Sequence, residues 1–176
     1  MTSSLPEPWL RGPLPGISAL LQPAAHAFVM AREDVTAAVS GLPPAHVWMS
    51  PSGLTPLGFH LAHLSGSTDR LLTYARGAAL DETQLAALAR ERAIATEAPP
   101  LEVLLAEWHA TVDRALAQLA ATRDATLGDA RAVGRARLPS TVLGLLFHAA
   151  EHASRHTGQI VTTARLAREH AEAHTP

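Results

Sequence analysis

The chain has 176 residues and a mass of 18.6 kDa, room for one domain of ordinary size. Hydrophobic residues make up 47%, aromatics 4% and charged residues 17%; Ala and Leu dominate, a mix that favours closely packed helices. The formal charge of −2 argues against an extended nucleic-acid surface, and the absence of Cys excludes disulfides, Cys-ligated zinc, iron–sulfur clusters and cysteine nucleophiles. All 14 basic residues are Arg, so Schiff-base and P-loop lysine chemistry is excluded as well. No apolar run reaches the roughly 18 residues of a membrane span. The start of the sequence lacks the basic-then-apolar pattern of a secretory leader. These features predict a soluble, cytoplasmic protein.

Residues 1–16 carry Pro6, Pro8, Pro13, Pro15, Gly12 and Gly16 and predict an extended arm, with Trp9 and Leu10 able to anchor it on the body or on a second subunit. The helical body is predicted over 17–170 and a short tail over 171–176. The first helix is expected over 23–40, stopped by Gly41, Pro43 and Pro44, with Ala27, Met30, Ala31, Asp34, Ala38 and Leu42 on its inner face. Thr55 and Pro56 predict the start of a second helix and Gly77 its end. Its core stripe is Leu57, Leu61, Leu64, Thr68, Leu71 and Ala75. Asp81 caps a shorter helix over 82–93, with Gln84 placed for a reciprocal contact. A third long helix spans 101–121, with Leu101, Leu104, Leu105, Trp108, Val112, Ala115 and Leu119 inward. A loop, GDARAVGRARLP, follows, and Ser140 is the expected cap of a last helix over 141–168.

Strand patterning is weak throughout. The natural packing of four helices, each about 27 to 42 Å long, is an all-α four-helix bundle. The long connection over 77–100 permits a crossover rather than simple up-down alternation. Three arginines near the last helix, Arg131, Arg135 and Arg137, make only a modest basic patch. Pairing with acidic neighbours or a subunit partner accounts for them better than DNA binding does.

The ten histidines are unevenly spread. His60 and His63 lie on the second helix; His148, His152 and His156 lie on the last, at i, i+4 and i+8. Such a series drifts only about 40° around the axis per step and forms one stripe. Adjacent members can grip one ion, but His148 and His156 are about 12 Å apart along the axis, against metal–nitrogen bonds of about 2.0–2.1 Å. One pair therefore binds, and a third ligand comes from His60 or His63. Periodicity does not choose between them. Three neutral imidazoles with an open position suit Zn²⁺, Ni²⁺, Fe²⁺ or Mn²⁺, the first two favoured. Glu151 and His148 are the candidate catalytic groups, while Arg70, Tyr74 and Arg155 are candidates for binding a cofactor or substrate. His26, His46, His109, His170 and His174 have no such partners and read as surface or satisfied histidines.

The segments GFHLAHLSGSTDRLL and FHAAEHASRHTGQI resemble the DinB-like (damage-inducible B, YfiT-type) family of metalloproteins. The His-x-x-x-His-x-Gly-Gln stretch is the most specific part in that family; here it reads His152 to Gln159, with Thr157 where many members have Arg. The resemblance implies a down-up-up-down four-helix bundle, usually dimeric. It implies His63, His152 and His156 as metal ligands and leaves His148 outside the triad. It also implies a metal-dependent transferase or hydrolase acting on a small molecule, with a thiol cofactor such as bacillithiol or mycothiol. The competing expectation is a non-catalytic stress-response or binding bundle whose metal site is structural or vacant.

Overall fold

Helix-stop residues and one capping box set most of the element boundaries in the computed structural model, which describes residues 5–172. His174 and most of the predicted 171–176 tail lie outside the described residues. Among the described residues, the N-terminal arm contains one 3₁₀ turn, Pro8–Leu10. Pro8 is buried there, while Trp9 and Leu10 stay more than half exposed. Neither is the anchor on this chain. Arg11 holds the arm instead, through a two-pronged ion pair with Glu33 at 2.6 and 2.8 Å, and Gln22 exchanges hydrogen bonds with the backbone of Leu14.

Helix α1 (Gln22–Val39) carries Pro23 in its first turn, where a missing N–H costs nothing. Its buried residues are Ala24, Ala25, Phe28, Ala31, Val35 and Val39. The expected inner face was therefore turned by roughly one residue, about 100°. Ala surrounds this helix, so small side chains blur the period, and the bulk of Phe28, Val35 and Val39 decides which side goes inward. A one-turn helix α2 (Pro44–Val47) and a 3₁₀ turn (Pro51–Gly53) then bring Trp48 over the start of the next helix.

Helix α3 (Leu57–Ala75) is entered through Pro56 in extended geometry, with no side-chain cap. Thr55 is exposed and does not cap it, because the helix begins one residue later than expected and Pro56 takes the N-cap position. Its end is a Schellman turn: Gly77 at φ +79° donates to Tyr74, and Ala78 donates to Thr73. Helix α4 (Glu82–Glu91) begins with the predicted reciprocal cap between Asp81 and Gln84. A further turn, α5 (Ile94–Glu97), completes the crossover segment, which lies along α3. Helix α6 (Leu101–Ala121) has the predicted bounds and buries Leu104, Trp108, Val112, Ala115 and Leu119.

The expected Gly/Arg loop is instead a small antiparallel hairpin, β1 (Ala130–Val133) and β2 (Leu138–Thr141). Strands of four residues are too short to display a period of two. Gly134 (φ +65°) and Arg137 (φ +50°) turn the chain between them. Arg131 donates from Nε to the Ala75 carbonyl at 2.9 Å, tying the hairpin to the negative end of α3. Ser140 pairs with Arg131 in the ladder and does not cap the last helix. Thr141 does so, its Oγ1 accepting from Gly144 N–H at 3.0 Å. Helix α7 (Val142–Glu172) runs a turn longer than the sequence suggests.

Helices α3 and α7 pack together, α7 also packs on α1, and α6 lies against both α1 and α3. The apolar interior between these four includes the fully buried Phe28, Leu61, Leu64, Trp108, Leu119, Leu146 and Ile160. Arg168 near the end of α7 donates to the carbonyls of Ala38 and Ser40 at the end of α1. The result is a mostly helical protein with a two-stranded sheet, and the α3–α7 seam carries His60, His63, His152 and His156. Among the described residues, no helix is long and apolar enough to cross a membrane.

Candidate metal centre

The middle of α3 faces the middle of α7, and histidines project from both sides of the seam. His152 and His156 sit one turn apart on α7, so their rings meet edge to face along the helix surface with centroids 4.5 Å apart. His63 enters from α3, 5.3 Å from His152 and 4.6 Å from His156 by ring centroids. One ligand-capable atom from each of the three lies within 4.8 Å of the others. His63 Nε2 and His152 Nε2 are 3.2 Å apart. Two nitrogens bound to one ion at about 2.0–2.1 Å would be about 2.9–3.4 Å apart at bond angles of 90–109°. The pair already has the separation a shared ion requires.

The remaining ring atoms also suit such an ion. Burial, reinforced by the neighbouring imidazoles, pushes His156 down to about 4, and burial also lowers His152. Both are therefore neutral at pH 7, with lone pairs free to donate. Among the described residues, Nδ1 of His152 and Nδ1 of His156 are buried without a hydrogen-bond partner. His63 differs: its Nδ1 lies 2.6 Å from Glu91 Oε1. The other oxygen of Glu91 accepts from Arg70 at 2.9 Å. Burial pushes the Glu91 carboxyl up, but the hydrogen bonds and charges of His63 and Arg70 outweigh it and hold the group below its usual range. Phe59 lies parallel to the His63 ring within 4°, centroids 5.9 Å apart, and walls one side. The His63 side chain keeps 23% of its surface exposed, so solvent reaches the centre.

His60 is the histidine that periodicity could not separate from His63. It is buried among core residues, its ring is 5.7 Å from that of His156, and it is not one of the three converging residues. His148 lies on the outer side of the stripe, half exposed, with its ring 5.7 Å from His152 and its Nδ1 3.3 Å from Glu151. Glu151 is taken by Arg155 at 2.5 Å, whose hydrogen bond keeps the carboxyl below its usual range. Glu151 and Arg155 thus form an ion pair along the outer surface of α7. Arg70 reaches the centre only through Glu91. Tyr74 packs against the core about 16 Å along α3 from His63 and is not brought to the site. His26 bonds Gly12 O and His109 bonds Thr36, as befits peripheral histidines. His46 is half-buried, and its Nδ1 has no partner among the described residues, so it is not a satisfied histidine.

Glu91 is the site residue that the sequence did not reveal. It stands at the end of an exposed, charged helix among Arg90 and Arg92, where a carboxylate ordinarily means solvation. A cavity of about 790 Å³ between α3, α4 and α6 is lined by Arg70 and Glu91 together with Ala62, Ile94, Val103 and Leu104. None of the three imidazoles lines it. This cavity is therefore not the mouth of the histidine centre.

A helical protein with three histidines converging across a helix seam matches a known class. The sequence profile of the DinB superfamily matches residues 27–160, which include all three histidines and Glu91. The chain belongs to the DinB superfamily. Comparison with curated proteins gives no match.

Proposed function

We propose that His63, His152 and His156 hold one divalent metal ion and that the protein is a metal-dependent transferase or hydrolase acting on a small molecule. The observation that carries this reading is the convergence of three neutral or hydrogen-bond-positioned imidazoles, two of them with nitrogens 3.2 Å apart. An all-nitrogen set suits zinc or nickel first, then iron or manganese. With one position open, such an ion lowers the pKa of a bound water or thiol toward neutrality. The chain's own residues supply the rest. The depressed basicity of His152 and His156 keeps them from being lost to protons at neutral pH. Phe59 shields one side of His63, and the partial exposure of His63 leaves an approach for substrate.

A down-up-up-down four-helix bundle is the architecture we assign to α1, α3, α6 and α7. It is supported by which residues meet. Arg32 and Thr36 contact Asp113 and His109, an antiparallel order for α1 and α6. His60 and His63 meet His156 and His152, antiparallel for α3 and α7. Arg76 and Leu72 contact Gln118, bringing the ends of α3 and α6 together. Family resemblance alone adds a low-molecular-weight thiol as the exogenous ligand; the sulfur would come from outside, because the chain has no Cys.

The test is elemental analysis and zinc titration of the untagged protein, alone and as His63→Ala, His152→Ala and His156→Ala. One ion per chain, lost in each variant, is expected. Full stoichiometry in all three variants would end the proposal. Cobalt substitution adds the functional readout: a visible spectrum that shifts when a small thiol or a competing anion is added indicates an open position. A spectrum indifferent to every added ligand would favour a structural site.

A further inference from the structure

We propose that Glu91 is a positioning residue for the metal centre: it selects the tautomer of His63, and Arg70 and Gly66 hold it in place to do so. The proposal rests on the metal reading above. A carboxylate has two acceptor oxygens and, ionised, no proton to give. Glu91 offers one oxygen to His63 Nδ1 at 2.6 Å and the other to Arg70 Nη1 at 2.9 Å. The hydrogen in the first contact therefore belongs to Nδ1. In the neutral ring Nε2 of His63 is then bare, and it is the atom that faces His152. Small imidazoles in water favour the opposite tautomer, with the hydrogen on Nε2, so the carboxylate inverts the default. Among the described residues, neither His152 nor His156 has a hydrogen-bond partner on Nδ1. His63 is the member of the three that is preset.

The surroundings are built for this contact. Side chains of Arg70 and Glu91 are only 13% and 12% exposed, so the pair is largely shielded from competing water. His63, Gly66 and Arg70 stand at i, i+3 and i+7, one face of α3. A Cβ on Gly66 would lie 2.9 Å from both Arg70 Nη1 and Glu91 Oε2. Gly is a poor residue for the middle of a helix, and this close approach accounts for it here. Glu91 itself is delivered by α4, whose start the Asp81–Gln84 box fixes.

The test has two readouts. Long-range ¹H–¹⁵N correlation spectra of the metal-free protein report which ring nitrogen of each histidine is protonated; His63→Gln assigns the resonance. His63 is expected as the Nδ1–H form in the wild type and as predominantly Nε2–H in Glu91→Ala. Zinc affinity, measured by competition with a chromophoric chelator, is expected to fall about 10–100-fold in Glu91→Ala. Glu91→Gln retains one carbonyl oxygen for Nδ1–H, while the NH₂ that replaces the other oxygen cannot accept from Arg70. It should keep the wild-type tautomer and lose less affinity than Glu91→Ala. Should Glu91→Ala fail to fold, the wild-type tautomer and Glu91→Gln decide. An Nε2–H His63 in the wild type overturns the proposal, as does wild-type zinc affinity in Glu91→Gln and, where it folds, in Glu91→Ala. If the histidine variants leave zinc binding intact, the metal reading itself fails; if they abolish it while the Glu91 variants bind normally, only this proposal fails.

Discussion

Replacing Gly58 by Ala should destabilise the protein, although Ala is the better helix former. Gly58 is the second residue of α3, and the Trp48 indole lies flat over it. A Cβ there would sit 2.6, 2.7 and 2.8 Å from three ring carbons. Carbon atoms prefer separations of about 3.5–4.0 Å, so the ring must retreat by about 1 Å. Its freedom to do so is small, because Trp48 Nε1 donates to Pro99 O at 3.0 Å and pins the ring to the start of α6. Overpacking of this kind costs about 1–3 kcal/mol, and weakening the hydrogen bond adds up to about 1 kcal/mol. Against this stands a helix-propensity gain of at most about 1 kcal/mol, smaller in a first turn. The net expectation is about 1–3 kcal/mol of lost stability. Urea denaturation followed by tryptophan fluorescence measures it as a lower midpoint at unchanged slope. In a Trp48→Leu background the Gly58→Ala penalty should shrink, since the rigid partner is gone. A Gly58→Ala protein as stable as the wild type, or a penalty undiminished in that background, would refute the steric argument.

Further expectations concern the histidine centre. Zinc at 100 times its dissociation constant should stabilise the fold by about 2.7 kcal/mol, raising Tm by roughly 5–11 °C for a chain of this size; a chelator should reverse this, and His156→Ala should show no shift. Metal-free protein should lose stability as pH falls from about 6.5 toward 4. Burial holds His60, His152 and His156 below their ordinary value, so in that window the unfolded chain takes up protons that the folded chain resists. The loss should flatten near pH 4 for His156, and His156→Ala should have a shallower pH dependence; identical slopes would contradict the assigned cause. Gly66→Ala should melt no lower than the wild type, because only flexible side-chain tips must shift, yet bind zinc more weakly as the Arg70–Glu91 pair moves. A thermal loss without any change in zinc affinity would go against it.

The helices were readable wherever local chemistry marks an end. The Asp81–Gln84 box, Gly77 beyond α3 and the bounds of α6 follow from capping and apolar period alone. Failures cluster where two signals compete. Thr55 and Ser140 are good caps by type, but a proline and a strand pairing took their positions. The buried face of α1 differs from the expected one because Ala contributes almost equal hydrophobicity on every side. The hairpin over 130–141 holds four-residue strands, below the length at which alternation can be distinguished from chance.

The centre itself divides along the same physical line. Spacing within one helix is local, and so the i, i+4, i+8 series of His148, His152 and His156 is written plainly in the sequence, while the resemblance picks the pair His152 and His156 from it. The choice of His63 over His60 depends on how α3 is rotated against α7, and no period within α3 encodes that rotation; the resemblance, not the spacing, favoured His63. Glu91 is further removed still. It is 28 residues from His63 and on a different helix, and its 2.6 Å contact exists only because the crossover segment folds back along α3. The trace it does leave in the sequence is indirect: Gly66, a helix-weakening residue in the middle of a long helix with no turn to make. An unexplained glycine at i+3 from a candidate ligand is a sign that something approaches the helix closely there, and in this protein it is an ion pair that holds the ligand's other nitrogen.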